Sequence, residues 1–355
     1  SLFLHVGWFT RVQAVLDEMQ AILAGIEHDA LWQEHDFWRR WAATIFALTL
    51  GNYADAHATA RELLCFVQRV DQVFWPWRAD IGNRFWEMHL HAMLGSAARL
   101  LGWYDAARSD SEAAVQISES MGEQRFKAKT LHDLATLLQI GGDYEQALAV
   151  AQQSLALSQQ LGDHNSAAYG ELTLGWIEID AGHLTLAEEH CRRSLAAALA
   201  SGEFRLHVSS LAALARIDRL QGNLAAARRR LEEAISRCAQ PGITHTNQLA
   251  VVLLELGHAA RAAQDWPQAR QLYTETLSTC GCTAAQTQAA RAGLAEVAWA
   301  AHDKAEARHL LTGVLDDPAT AAATRCSAQQ MLVRWELLDE LDELVGSQGS
   351  AQKKS

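Results

Sequence analysis

Apolar residues recur along this chain at intervals of three and four, in runs separated by short polar breaks, and the breaks themselves repeat. The clearest break is Gly142-Asp143-Tyr144-Glu145-Gln146-Ala147: Gly, any residue, a bulky residue, two more, then Ala. Further copies begin at Gly7, Gly51, Gly102, Gly182 and Gly222, with degenerate copies at Gln264 and His302. The spacings are 44, 51, 40, 40, 40, 42 and 38 residues, and chance does not hold a 40-residue period over three successive intervals.

Each break predicts a turn between two helices. The Gly suits a left-handed position that ends a first helix without a Cβ penalty. The following Asp or Asn (52, 143, 223, 265, 303) suits the N-cap of a second helix. The bulky residue and the Ala three later share one face of that helix, and the small Ala lets the helices approach closely. Pro267 falls in the first turn of its helix, and Pro318 is expected to mark the start of a last helix in the same way. Seven or eight residues before the turns stands a Leu-Gly or Leu-Ala pair: Leu94-Gly95, Leu134-Ala135, Leu174-Gly175, Leu214-Ala215, Leu256-Gly257 and Leu294-Ala295.

Composition agrees. Apolar residues make up 49% of the 355 and charged residues 20%, with only 4 prolines and no run of strand-forming residues, so an all-α folded chain is expected. A net charge of −12 argues against nucleic-acid backbone as the main partner. No long apolar run or signal-peptide layout is present, and the six scattered cysteines fit no zinc spacing, so a cytoplasmic chain with reduced thiols is expected.

The helix pairs, with Leu-[Gly/Ala] in the first helix and Gly-x-Tyr-x-x-Ala at the turn, resemble tetratricopeptide repeats. The period of about 40 exceeds the standard 34 and is similar to the longer-helix variant of kinesin light chains and of the sensor regions of bacterial STAND signalling ATPases. The resemblance implies a right-handed superhelix (α-solenoid) over residues 1–345, with about seven full repeats, an N-terminal half repeat and a terminal capping helix. First helices would line the concave face. Three departures stand out. The copy at Gly7 leaves no room for a preceding helix, so the chain is expected to open on the second helix of a pair, as part of a longer protein. The interval from Gly51 to Gly102 carries about 11 extra residues around 70–80, expected as a rim insertion. Residues 346–355 are expected to form a disordered tail.

Counting back from each turn places concave candidates at Trp38, Trp41, Arg99, Lys129, His132, Gln139, Tyr169, Trp176, Arg216, Arg219, His258, Arg261 and Trp299. Against their Lys and Arg residues the same count finds one acid, Glu296, which predicts a basic groove inside an acidic protein, suited to an anionic partner. Pairing of those arginines with acids on neighbouring second helices is the alternative. Trp75 and Trp77 in the insertion are further contact candidates, whereas Trp32, Trp86 and Trp103 are expected in the core.

No catalytic or metal-binding pattern occurs: no His-x-x-x-His with a completing acid, no phosphate loop, no nucleophile elbow. Arg228-Arg229-Arg230 reads as a solvated convex patch. No cofactor and no enzyme activity are expected. The resemblance implies a protein- or ligand-sensing domain, the C-terminal sensor behind a STAND nucleotide-binding module, which takes a peptide, protein or small-molecule inducer. A constitutive adaptor for acidic peptides is the alternative, and self-association through the open ends of the array is compatible with both.

Overall fold

The computed structural model describes residues 6–23, 30–69, 82–238, 246–279 and 281–352. Among them the chain is helical throughout, as the pattern predicts. The helices are α1 (Val6–Leu23), α2 (Ala30–Leu50), α3 (Tyr53–Arg69), α4 (Gly82–Leu101), α5 (Tyr104–Met121), α6 (Gln124–Gly141), α7 (Tyr144–Gln160) and α8 (His164–Ala181). They continue as α9 (Leu184–Ser201), α10 (Phe204–Leu220), α11 (Leu224–Cys238), α12 (Thr246–Ala262), α13 (Trp266–Ser278), α14 (Ala284–Ala300), α15 (Lys304–Asp316) and α16 (Ala322–Gln352). Pairs α2/α3 to α14/α15 stack in chain order between α1 and the capping helix α16.

The hexapeptide works as its residues demand. Gly51, Gly102, Gly142, Gly182 and Gly222 take φ between 83° and 87°, and at the degenerate copies Gln264 and His302 hold the same left-handed turn at 60° and 63°. Asp143, Asp265 and Asp303 each accept a hydrogen bond from the backbone three residues on, capping α7, α13 and α15. The motif alanines 56, 107, 147, 187, 227, 269 and 307 are all fully buried. A second set, Gly122, Gly162 and Gly202, turns the chain between pairs, so left-handed glycines recur every 20 residues from 102 to 222.

The Leu-[Gly/Ala] position sets how closely the helices of a pair approach. The small residue faces the side chain sixteen residues later on the second helix. A Cβ on Gly95 would stand 2.7 Å from Ser111 Oγ, one on Gly175 would overlap Cys191 Sγ, and one on Gly257 would stand 2.6 Å from the Tyr273 ring. Tyr273, fully buried, lies between Gly257 and a second glycine, Gly293, whose Cβ would overlap the ring. Ala135 with Ala151, Ala215 with Leu231 and Ala295 with Leu311 share clusters at the same spacing.

Four expectations change. Gly7 lies inside α1 and makes no turn: one glycine costs a helix about 1 kcal/mol, too little to end it. Pro318 lies in the turn before α16, where its fixed φ is accommodated outside any helix. The backbone of α16 continues to Gln352, past the start of the expected tail, because Ser, Gln and Ala tolerate helix and neither Gly346 nor Gly349 breaks it, each costing about 1 kcal/mol. Trp103 is 50% exposed, edge-on to His57, because it stands at the turn before α5. The insertion, with Trp75 and Trp77, lies outside the described residues.

The array curves until its last pairs meet its first. Tyr53 Oη donates to the carbonyl of Gly281 at 3.0 Å, and Tyr104 Oη donates to the carbonyl of Ala319 at 2.8 Å. Both are bulky residues of the hexapeptide. Beside them Gly102 packs against Ala284 and Ala319, and Gly142 against Ala322. Burial pushes the Tyr104 hydroxyl up to about 12, so it stays a donor at neutral pH.

Two outcomes follow from these contacts. Gly293→Ala gains about 1 kcal/mol of helix propensity and incurs an overpacking cost of about 1–3 kcal/mol against a buried ring. Denaturant unfolding should therefore show net destabilisation. Gly170→Ala, whose Cβ would meet Leu155 at an ordinary 3.4 Å, should be neutral or stabilising; equal effects at both sites would refute the close-approach account. Second, the double variant Tyr53→Phe with Tyr104→Phe removes both cross-arc hydrogen bonds, and small-angle scattering should show a larger radius of gyration with unchanged helicity.

Candidate functional site: the lumen of the arc

A cavity of about 520 Å³ lies inside the arc. Trp41, Ile45, Leu48 and Thr49 of α2, His89, Met93, Ser96 and Arg99 of α4, and Phe126 and Lys129 of α6 line one part of it. Arg205 in the first turn of α10 and Asn247 and Gln248 in the first turn of α12 line the rest. Residues more than 100 positions apart in sequence therefore share one site.

Its aromatic side is built by interlocked rings. Trp41 stacks on Phe37 at 6.0 Å, Trp86 stands edge-on to Phe37, Trp38 and Trp41 at 5.2 Å each, and His89 lies 4.3 Å from both Phe85 and Phe126. Such rings present rigid apolar surface with little rotamer entropy to lose. His89 Nδ1 lies 2.9 Å from the carbonyl of Phe85, which only an Nδ1–H can satisfy. Burial lowers its pKa, assisted by Lys129, so the neutral ring leaves Nε2 as an acceptor.

The charges divide into two groups. In the later pairs they are already matched: Gln139 Nε2 donates to Asp180 at 2.7 Å, Arg216 pairs with Asp180 at 2.6 Å, Arg219 with Glu255 at 3.4 Å, and Arg261 with Glu296. Each of these contacts joins one first helix to the next. Three arginines are therefore paired, but with acids on adjacent first helices and not on second helices as the pairing alternative expects. Asp180 and Glu255 were missed by the concave count, although Asp180 stands two before its turn, a register the count includes. Arg99, Lys129 and Arg205, by contrast, have no ion pair with any described acid; the buried Nε of Arg99 has no hydrogen-bond partner, as is true of the Nε atoms of Arg216, Arg219 and Arg261. Lys129 Nζ lies 5.9 Å above the Phe126 ring.

The other candidates take structural positions. His132 bonds Thr173 across α6 and α8 at 3.1 Å, and His258 bonds Tyr273 Oη at 2.8 Å. Tyr169 Oη donates to Glu203, and Trp176 lies 5.5 Å from the Arg216 guanidinium. Trp38 belongs to the ring cluster, and Trp299 stacks on Trp335 at 4.5 Å, joining the last pair to α16. Arg228 and Arg230 pair with Glu232 and Asp218. Sequence counting missed Phe126, Met93, Arg205, Asn247 and Gln248. Among the described residues no metal-ligating cluster exists, and no helix is long and apolar enough to cross a membrane.

With this geometry in hand, comparison with known proteins is informative. Two tetratricopeptide repeat family models match, over residues 87–160 and 208–240. The chain therefore carries tetratricopeptide repeats in these stretches, and the same helix-pair geometry extends over its other pairs. It is similar to a Rap protein in complex with competence and sporulation factor, at TM-score 0.69 and 12% identity over 90% of this chain and 81% of that one. It is also similar to the Rap conjugation gene regulator of plasmid pLS20 in complex with the Phr* peptide, at TM-score 0.64 and 13% identity over 86% and 79%. A STAND protein with a tetratricopeptide repeat sensor from Pyrococcus horikoshii reaches TM-score 0.49 at 17% identity over 89% of this chain and 44% of that one. At these identities the likeness establishes the fold. No curated protein matches the chain significantly in sequence.

Burial lowers the pKa of His132, and lowers that of His258 well below the usual 6.5 with help from Arg219, Arg261 and Arg216. A depressed histidine pKa contributes stability that is present above about 6.5 and lost as pH falls below it, because the unfolded chain then binds the extra proton. The melting temperature should therefore fall between pH 7.5 and 5.5. His258→Gln should lower the melting temperature at pH 7.5 but flatten that slope; an unchanged slope would mean that other groups control it.

Proposed function

We propose that the chain is a sensing repeat domain that takes an extended peptide or small-molecule inducer into its lumen and reports occupancy through the curvature of the arc. The observation that carries this reading is the lumen cavity itself. It is lined by α2, α4 and α6 together with the first turns of α10 and α12, so its shape depends on how far the arc is closed. A ligand touching both parts favours one closure over another, and a difference in affinity between the two states is what shifts a population. Peptide complexes among proteins of similar fold support the reading.

The sequence resemblance to STAND sensors supplies the finer form, in which the arc restrains a nucleotide-binding module in the parent protein. The reading frame carrying residues 1–355 tests this: a Walker-type loop on the N-terminal side supports it, and an uninterrupted repeat array refutes it.

Native mass spectrometry of the protein purified from its own host tests the sensing role. The wild type should retain a peptide-sized mass. Ser96→Trp, which fills the cavity, should lose that mass without loss of helicity. Retention of the same mass by both proteins would refute lumen binding. Ligand binding that leaves the scattering profile unchanged would make the chain a constitutive adaptor.

A further inference from the structure

We infer that the lumen contains an anion receptacle formed by Arg99, Lys129 and Arg205, and that the ligand presents a carboxylate to it. The inference rests on lumen binding as proposed above and adds the chemistry of the recognised group. It follows from the unequal treatment of the concave cations. Arg216, Arg219 and Arg261 each face an acid on the adjacent first helix, so their charge is matched within the protein. Arg99, Lys129 and Arg205 line the cavity and pair with no described acid.

Lys129 and Arg205 are exposed and hydrated, whereas Arg99 is half-buried, where a polar group without a partner loses the hydrogen bonds it made in solvent. The Nε of Arg99 has no acceptor, which is equally true of Arg216, Arg219 and Arg261, so what sets Arg99 apart is the lack of an ion pair. Three like charges on α4, α6 and α10 around one cavity also repel one another, and an entering anion relieves that repulsion. The protein's net charge of −12 does not cancel the effect, because salt screens charges beyond a Debye length of about 8 Å at physiological ionic strength. The first turns of α10 and α12 add partial positive charge on the same side.

A carboxylate on a peptide fits the remaining wall better than a free inorganic anion. An arginine fork matches a carboxylate geometrically, whereas Trp41, Ile45 and Met93 offer apolar surface for the rest of the ligand. Asn247 and Gln248 are amides suited to hydrogen-bond a peptide backbone. Along the ladder beyond, from Asp180 to Glu296, each arginine already faces an acid. The geometry therefore assigns the anionic group to the part of the lumen bounded by α4, α6 and α10.

Purified full-length protein can be incubated with four randomised hexapeptide pools, with and without Asp and Glu, each with a free or an amidated C-terminus. Retained peptides are counted by mass spectrometry. Carboxylate-bearing peptides should be enriched at least about 10-fold over the neutral amidated pool, and comparison of the pools tells a terminal carboxylate from an acidic side chain. Arg99→Gln and Lys129→Gln should each abolish the enrichment, with melting temperature and helicity as folding controls, and Arg228→Gln should not. Equal retention of all pools would overturn the anion receptacle and leave lumen binding standing. If no pool is retained, peptide recognition fails, and titration with citrate decides the receptacle separately. Citrate binding lost in both variants supports it, and no binding, or binding unchanged by the substitutions, overturns it.

Discussion

The structure depends on one steric constraint: a residue with little or no side chain, seven or eight positions before each turn, lies against the residue sixteen later. Gly95 against Ser111, Gly175 against Cys191 and Gly257 against Tyr273 leave no space for a Cβ. That close approach fixes the register within each pair. Register in turn determines which residues of the first helix face the neighbouring pair and which face the lumen. Where the second-helix residue is as large as Tyr273, one glycine is not enough, and Gly293 of the next pair supplies another. The constraint thus passes from pair to pair and sets the curvature as well as the packing.

Curvature gives the turn motif a second role. Locally the bulky residue of the hexapeptide anchors the second helix; at Tyr53 and Tyr104 it also bonds to backbone more than 200 residues away. Gly102 likewise serves twice, since its φ of 84° requires glycine and the same missing Cβ admits Ala284 and Ala319. A repeat array usually gains stability only from nearest neighbours. Here a non-local contact is added, so opening the arc disrupts hydrogen bonds that no single pair controls.

The helices, their pairing, the capping aspartates and the buried motif alanines are legible because each follows from short-range residue chemistry. The left-handed glycines at 122, 162 and 202 are equally legible, as a 20-residue beat that subdivides the 40-residue one. The site was less legible. Counting back from the turns found Trp41, Arg99 and Lys129, which lie on the first helices of the early pairs. It could not find Arg205, Asn247 and Gln248, which reach the cavity because the arc bends back upon itself, and no local spacing encodes that bend. The charge pattern misled for a related reason: Arg216 and Arg219 read as free cations until Asp180 and Glu255, on adjacent first helices, are seen to match them.

This matching changes what substitutions at those arginines can reveal. Arg219 and Glu255 are both largely buried, at 13% and 5% side-chain exposure, so reversing one charge would leave two acids facing each other away from water. Breaking a buried pair costs about 3–5 kcal/mol, comparable to much of a domain's stability, and a lost interaction would then report a damaged fold. Arg99 and Lys129 have no such partner to strand. The cations suitable for testing recognition are therefore Arg99 and Lys129, concave candidates that line the cavity and have no ion pair with a described acid.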